Sequence, residues 1–103
     1  MIKVLNYKTF RSDGKGLVIS IMQSKGAILG NPFYNKPGWS RERKISEFRV
    51  WLWAQIKKRS RVHDELQRIA RISKDQDVYL VCCCKPLPCH GDVIVSAVGW
   101  MSR

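Results

Sequence analysis

The apolar positions of this chain change their spacing along its length, and each spacing predicts a different element. Ile2 to Tyr7 alternates, with Ile2, Val4 and Asn6 on one side and Lys3, Leu5 and Tyr7 on the other, the period of a strand. The turn signals of Arg11-Ser12-Asp13-Gly14-Lys15-Gly16 follow. Leu17 to Met22 is then almost continuously apolar and rich in β-branched residues, which predicts a buried strand. Gln23 to Gly38 shows neither period. Its glycines, Asn31-Pro32-Phe33 and Lys36-Pro37-Gly38 predict a long loop packed on the body.

Beyond Ser40, a good helix N-cap, the period becomes helical and predicts a helix from Arg41 to about Arg59. Ile45, Phe48, Leu52 and Ile56 recur at three and four residues as an inward stripe that Trp51 widens. Val50 and Trp53 lie off the stripe and must be exposed or cover a second element. Lys57-Lys58-Arg59-Ser60-Arg61 is too basic to bury and is either a turn or a bend in one long helix. A second helix is expected from about Val62 to Ser73, with Val62, Leu66, Ile69 and Ala70 inward. The apolar segment Val78 to Val81 reads as a strand and Val93 to Val98 as part of a last helix starting near His90 or Gly91.

Strand, strand, helices, strand, helix is an α/β order. It predicts one small domain over residues 1–103, with a mostly parallel sheet of about three to four strands covered by helices. Strand order is not readable from this pattern. No apolar run reaches the roughly 20 residues of a membrane span. Met1 to Leu5 runs into Asn6 and Lys8 without the apolar core of a signal peptide, so a cytoplasmic protein without a membrane partner is expected.

Charge adds a second strand to the picture. Nineteen Lys and Arg against eight Asp and Glu give a net charge of +11. The excess lies between Lys36 and Arg71, with eleven basic residues against four acidic ones. Arg41, Arg43, Lys44, Arg49, Lys57, Lys58, Arg59 and Arg61 make this region a candidate surface for nucleic acid or an acidic host protein, with Trp39 and Trp53 available to stack. The competing reading is a solvated basic face that binds nothing in particular.

All four cysteines fall within Cys82-Cys83-Cys84-Lys85-Pro86-Leu87-Pro88-Cys89-His90-Gly91-Asp92. Such close spacing makes a poor disulfide framework, and reduced thiols are expected. Strand alternation separates Cys83 from Cys82 and Cys84. Pro86 and Pro88 stiffen the loop that presents Cys89 and His90 at a helix start. A helix start favours anions and lowers the pKa of a thiol placed there. Cys89 is therefore the candidate nucleophile or redox thiol, with His90 the identifiable base, and Cys82 and Cys83 are assigned to packing. Cys82, Cys84, Cys89 and His90 are an alternative zinc set, although C-x-C-x4-C-H is unlike the usual paired knuckles. No cofactor is expected under the leading reading.

The string Leu80 to Asp92, with its P-L-P-C-H-G-D close, resembles the closing signature of a small phage and bacterial family known as domain of unknown function 4326. Leu29-Gly30-Asn31-Pro32-Phe33 resembles that family's L-G-N-P-F motif, and Ser40-Arg41-Glu42 through Trp51-Leu52 its Ser-Arg-Glu helix. Cys83 departs from the pattern, which commonly has an aromatic there. The resemblance implies a single α/β domain and, by the family's common setting, a phage protein acting in the host cytoplasm. It brings no activity with it.

The two motifs together suggest one site. Gly30, Asn31 and Phe33 would converge with Cys89, His90 and Asp92 on a phosphorylated or nucleotide-like small molecule. Asn31 would orient the ligand, Cys89 and the following amides would hold its anion, and His90 or Asp92 would hydrogen-bond it. The basic helical region is the alternative function, and a zinc-stabilised interaction module is the second alternative.

Overall fold

The computed structural model describes residues 1–11, 14–22, 27–83 and 87–102. Three strands and three helices follow one another as β1 (Ile2–Asn6), β2 (Leu17–Ser20), α1 (Arg41–Lys58), α2 (Arg61–Ile72), β3 (Val78–Cys82) and α3 (His90–Met101). The strands form one parallel sheet in the order β1-β3-β2, so the last strand in the chain is inserted between the first two. Val78 is level with both Ile2 and Leu17, and Cys82 ends the ladder opposite Asn6.

This order explains which strands are most apolar. β3 has a neighbour on each side, and four of its five residues are buried. β2 is an edge strand, shorter than the predicted Leu17 to Met22, and its residues alternate between half-buried and exposed. The expectation that it is buried throughout is corrected at Val18, which is 44% exposed. Continuous apolarity there reflects β-branched preference for a strand rather than two covered faces.

Phe10 and Gly16, between β1 and β2, both lie against Tyr79 of β3. Phe10 lies 5.5 Å from Tyr79, measured between ring centroids. Gly16, just before β2, has φ +79°. A Cβ at Gly16 would lie 2.6 Å from the Asp77 carbonyl oxygen, so the approach admits only glycine.

The helical side carries the core. Ser40 Oγ accepts the Arg43 amide at 3.1 Å and starts α1. Phe48, Leu52 and Ile56 point inward, and Ile45 and Trp51 flank them half-buried. Arg59 takes the left-handed conformation, and its N–H closes on the Gln55 and Ile56 carbonyls. One residue on, Ser60 Oγ accepts the Val62 amide at 3.2 Å and caps α2. The basic Lys57–Arg61 stretch is thus a turn between two helices, not a bend in one. Val62, Leu66, Ile69 and Ala70 of α2 are buried as their spacing predicts. Trp53 meets Trp100 of α3 edge-on at 5.0 Å, and Val50 is left 68% exposed. No helix among the described residues is long and apolar enough to cross a membrane.

α3 sits closest to the sheet at its first turn. A Cβ on Gly91 would lie 2.8 Å from Val4 Cγ1 and 2.9 Å from Ile21 Cδ1. Gly99, on the same helix, has nothing within 4 Å of that position. Gly91→Ala is therefore expected to destabilise the fold by about 1–3 kcal/mol, as overpacking does. Gly99→Ala is expected to stabilise it by about 0.5–1 kcal/mol through helix propensity. Denaturant midpoints check this pair, and equal shifts in the two variants would contradict the packing described.

Candidate functional site

β3 ends at Cys82, and α3 starts at His90 with Cys89 as its N-cap. Cys89 Sγ accepts the Gly91 amide at 3.2 Å, and the Asp92 carboxylate reaches back to accept the Cys89 amide at 3.2 Å. This is a capping box with sulfur in place of the usual hydroxyl. It also places a carboxylate of the chain itself at the helix start. Asp92 thereby takes up part of the anion preference that the sequence reading reserved for a ligand.

Cys89 is 2% exposed and Cys82 1%, with the Cys89 thiol donating to Cys82 Sγ at 3.5 Å. Burial pushes the Cys89 thiol up to about 12, and Cys82 and Asp92 push the same way, against the Gly91 amide. The expected lowering of this pKa is corrected: desolvation outweighs the helix end. A nucleophile needs the thiolate, and Cys89 holds its proton.

His90 is likewise buried, at 8% exposure. Its Nε2 lies 2.8 Å from the Ile21 carbonyl oxygen, just past the end of β2. A carbonyl only accepts, so Nε2 carries the hydrogen. The ring meets Phe48 of α1 edge-on at 4.9 Å. Burial lowers its pKa and outweighs the backbone of Ile21 and Leu29 and the charge of Asp92, which favour protonation. His90 therefore serves as a neutral tie between α3, the β2 end and α1.

Asn31, 6% exposed, does similar work in its loop. Its Oδ1 accepts the Phe33 amide at 2.9 Å, an Asx turn, and its Nδ2 donates to the Lys44 carbonyl at 3.5 Å. Phe33 stacks on Trp39 with centroids 5.8 Å apart, and the Arg43 guanidinium lies 3.9 Å from the Trp39 centroid.

These elements enclose a cleft of about 550 Å³ beyond the carboxyl ends of the strands. The loop contributes Asn31, Tyr34 and Asn35, and α1 contributes Arg41, Lys44 and Ile45. The junction of β3 and α3 contributes Cys83, Pro88, Cys89 and His90. Asn31, Cys89 and His90 thus share one cleft, whereas Gly30, Phe33 and Asp92 do not line it.

Arg41 and Lys44 were assigned from sequence to the separate basic surface, and they line this cleft instead. Arg41 Nη1 donates to the Pro88 carbonyl at 3.3 Å, tying the first turn of α1 to the loop before α3. The signal for them was positional. In a parallel sheet, the loop after β2 and the loop after β3 leave from the same end, and the helix start following the first loop belongs there too. Arg49, Lys57, Lys58, Arg59 and Arg61 are exposed. The cluster from Lys57 on lies about 24 Å from Arg41 along the helix axis. The basic region is therefore divided rather than one patch.

Cys84, part of the zinc alternative, lies outside the described residues. Among the described residues no group of three or more His, Cys, Asp or Glu is placed to hold a metal. His90 Nε2 and Cys89 Sγ are already engaged with backbone groups.

A three-stranded parallel sheet with a basic cleft at its carboxyl end defines a small α/β domain whose cleft lies at the end of the sheet where such folds place ligands. The chain belongs to the family described as domain of unknown function (DUF4326), whose model matches residues 7–100. No curated protein and no solved structure matches it.

The protonated thiol has a measurable consequence. In the unfolded chain Cys89 ionises near its ordinary value of 9.0, whereas in the fold it keeps its proton to about 12. Its contribution to stability is complete below pH 9 and is lost as the pH rises above it, at about 1.4 kcal/mol per pH unit. Cys89→Ser keeps a capping oxygen and removes the ionisable group. Denaturation across this range is expected to show a shallower alkaline loss in Cys89→Ser, and equal slopes would contradict the buried thiol.

Proposed function

We propose that this protein binds a phosphate-bearing small molecule of the nucleotide class in the cleft between the Asn31 loop, α1 and the start of α3. The observation that carries this reading is the convergence of Arg41 and Lys44 with the buried Asn31 amide on one concave wall. No carboxylate is among the described residues of that wall. Arg41 spends one donor on Pro88, and a guanidinium has five. The rest can meet phosphate oxygens in the forked geometry that suits them. Lys44, held beside the Tyr34 ring at 5.7 Å, adds a mobile point charge.

The roles first expected at the helix start shift accordingly. Cys89 and His90 line the floor, Asp92 completes the helix cap behind them, and the cations of α1 take the anion. The reading is one of binding, because Cys89 is protonated and the His90 ring is committed to Ile21. Inorganic pyrophosphate titrated into labelled protein is expected to move the amide signals of Asn31, Arg41, Lys44 and Cys83. Arg41→Ala and Lys44→Ala should each weaken binding about tenfold, as loss of a charged hydrogen bond does. Lys57→Ala with Lys58→Ala should leave it unchanged. Shifts centred on Lys57 to Arg61 instead, or none, would contradict the proposal.

A further inference from the structure

The cleft does not end at Tyr34. A second basin of about 310 Å³ adjoins it, and the two share Tyr34, Asn35 and Lys44. Its remaining wall is Lys36-Pro37-Gly38-Trp39. Three cations here lie over aromatic rings: Arg43 at 3.9 Å and Lys36 at 5.8 Å from the Trp39 centroid, and Lys44 at 5.7 Å from that of Tyr34. Trp39 already carries Phe33, whereas Tyr34 is 46% exposed at the boundary between the basins. Glu42 is on the same helical turn, but it lines neither basin.

A free mononucleotide or pyrophosphate would use only the first basin. Two adjoining basins, with cations in both and an exposed ring between them, match a chain that repeats phosphate and base. We propose that the ligand of this site is single-stranded nucleic acid. One phosphate lies between Arg41 and Lys44, a neighbouring base stacks on Tyr34, and the strand continues past Lys36. This rests on the phosphate reading of the cleft and extends it. Aromatic stacking and backbone charge recognise any base, so the site selects a flexible single strand over a duplex, whose bases are already stacked. An acidic peptide would satisfy the cations but would make no use of Tyr34.

Fluorescence anisotropy with a labelled short oligothymidylate, run beside pyrophosphate titrations of the same proteins, tests this. The single strand is expected to bind at least tenfold more tightly than pyrophosphate and more tightly than a duplex of equal length. Tyr34→Ala should weaken the oligonucleotide about tenfold more than it weakens pyrophosphate, while Lys44→Ala weakens both alike. Tyr34→Phe should retain binding, because the ring is what stacks. Equal affinity for oligonucleotide and pyrophosphate, or a Tyr34→Ala effect no larger on the oligonucleotide than on pyrophosphate, would overturn the inference while leaving the phosphate cleft standing. Loss of oligonucleotide binding in Lys57→Ala with Lys58→Ala as large as in Lys44→Ala would overturn it in favour of diffuse charge attraction. Failure of both ligands to bind would overturn both readings.

Discussion

The bond from His90 Nε2 to the Ile21 carbonyl is the contact on which the arrangement of this site depends. β3 is inserted between β1 and β2, so the start of α3 and the end of β2 meet at the same end of the sheet. The Ile21 amide is spent on the Val81 carbonyl, which continues the ladder one residue past β2. Its own carbonyl would be buried without a partner, a loss of about 1–3 kcal/mol, unless a donor arrived from elsewhere. His90 supplies that donor. By packing on Phe48 it also sets the distance from α3 to α1, and hence the width of the cleft between them.

Most of the polar residues that look chemical in the sequence have structural partners within the fold. Cys89 caps α3 with its sulfur, Asp92 completes the box, and Asn31 folds its loop through an Asx turn. Gly91 lets the helix start approach Val4 and Ile21. Together they hold a loop, a helix start and a strand end in one rigid frame. The groups with donors to spare are then Arg41 and Lys44, which stand on α1 with their backbone already fixed. On the proposed reading the charge stands on a capped helix and its support lies in buried motif residues, a preorganised arrangement.

The helices were legible because their information is local. Ile45, Phe48, Leu52 and Ile56 repeat at helical spacing, Ser40 marks the start, and the α/β order follows from the sequence of periods. Strand order was not legible, because nothing local says that β3 lies between the others. That one non-local fact carries much of what was missed. It makes β2 an edge strand with Val18 exposed, whereas Arg41 and Lys44 reach the cleft because α1 starts at the carboxyl end of the parallel sheet. From composition these two were indistinguishable from Lys57 and Arg61 at the far end of α1. The Cys89 pKa was misread for a related reason. Spacing shows a helix start, which favours the thiolate, but not the packing of Cys82 against the sulfur, which excludes water and favours the thiol. Convergence of Asn31, Cys89 and His90 was legible, since two loops leaving the same end of a parallel sheet must lie near each other.

If His90 is the neutral tie that sets this frame, its ring should take up a proton only at lower pH than an ordinary histidine. Side-chain nitrogen NMR of the folded protein, followed from pH 8 down to pH 6, measures this directly. The account predicts that the His90 ring takes up its proton below the ordinary value of 6.5, with the hydrogen of its neutral form on Nε2, because burial lowers its pKa. A ring that titrates near 6.5 while the rest of the spectrum stays unchanged, or one that carries its hydrogen on Nδ1 alone, would contradict it.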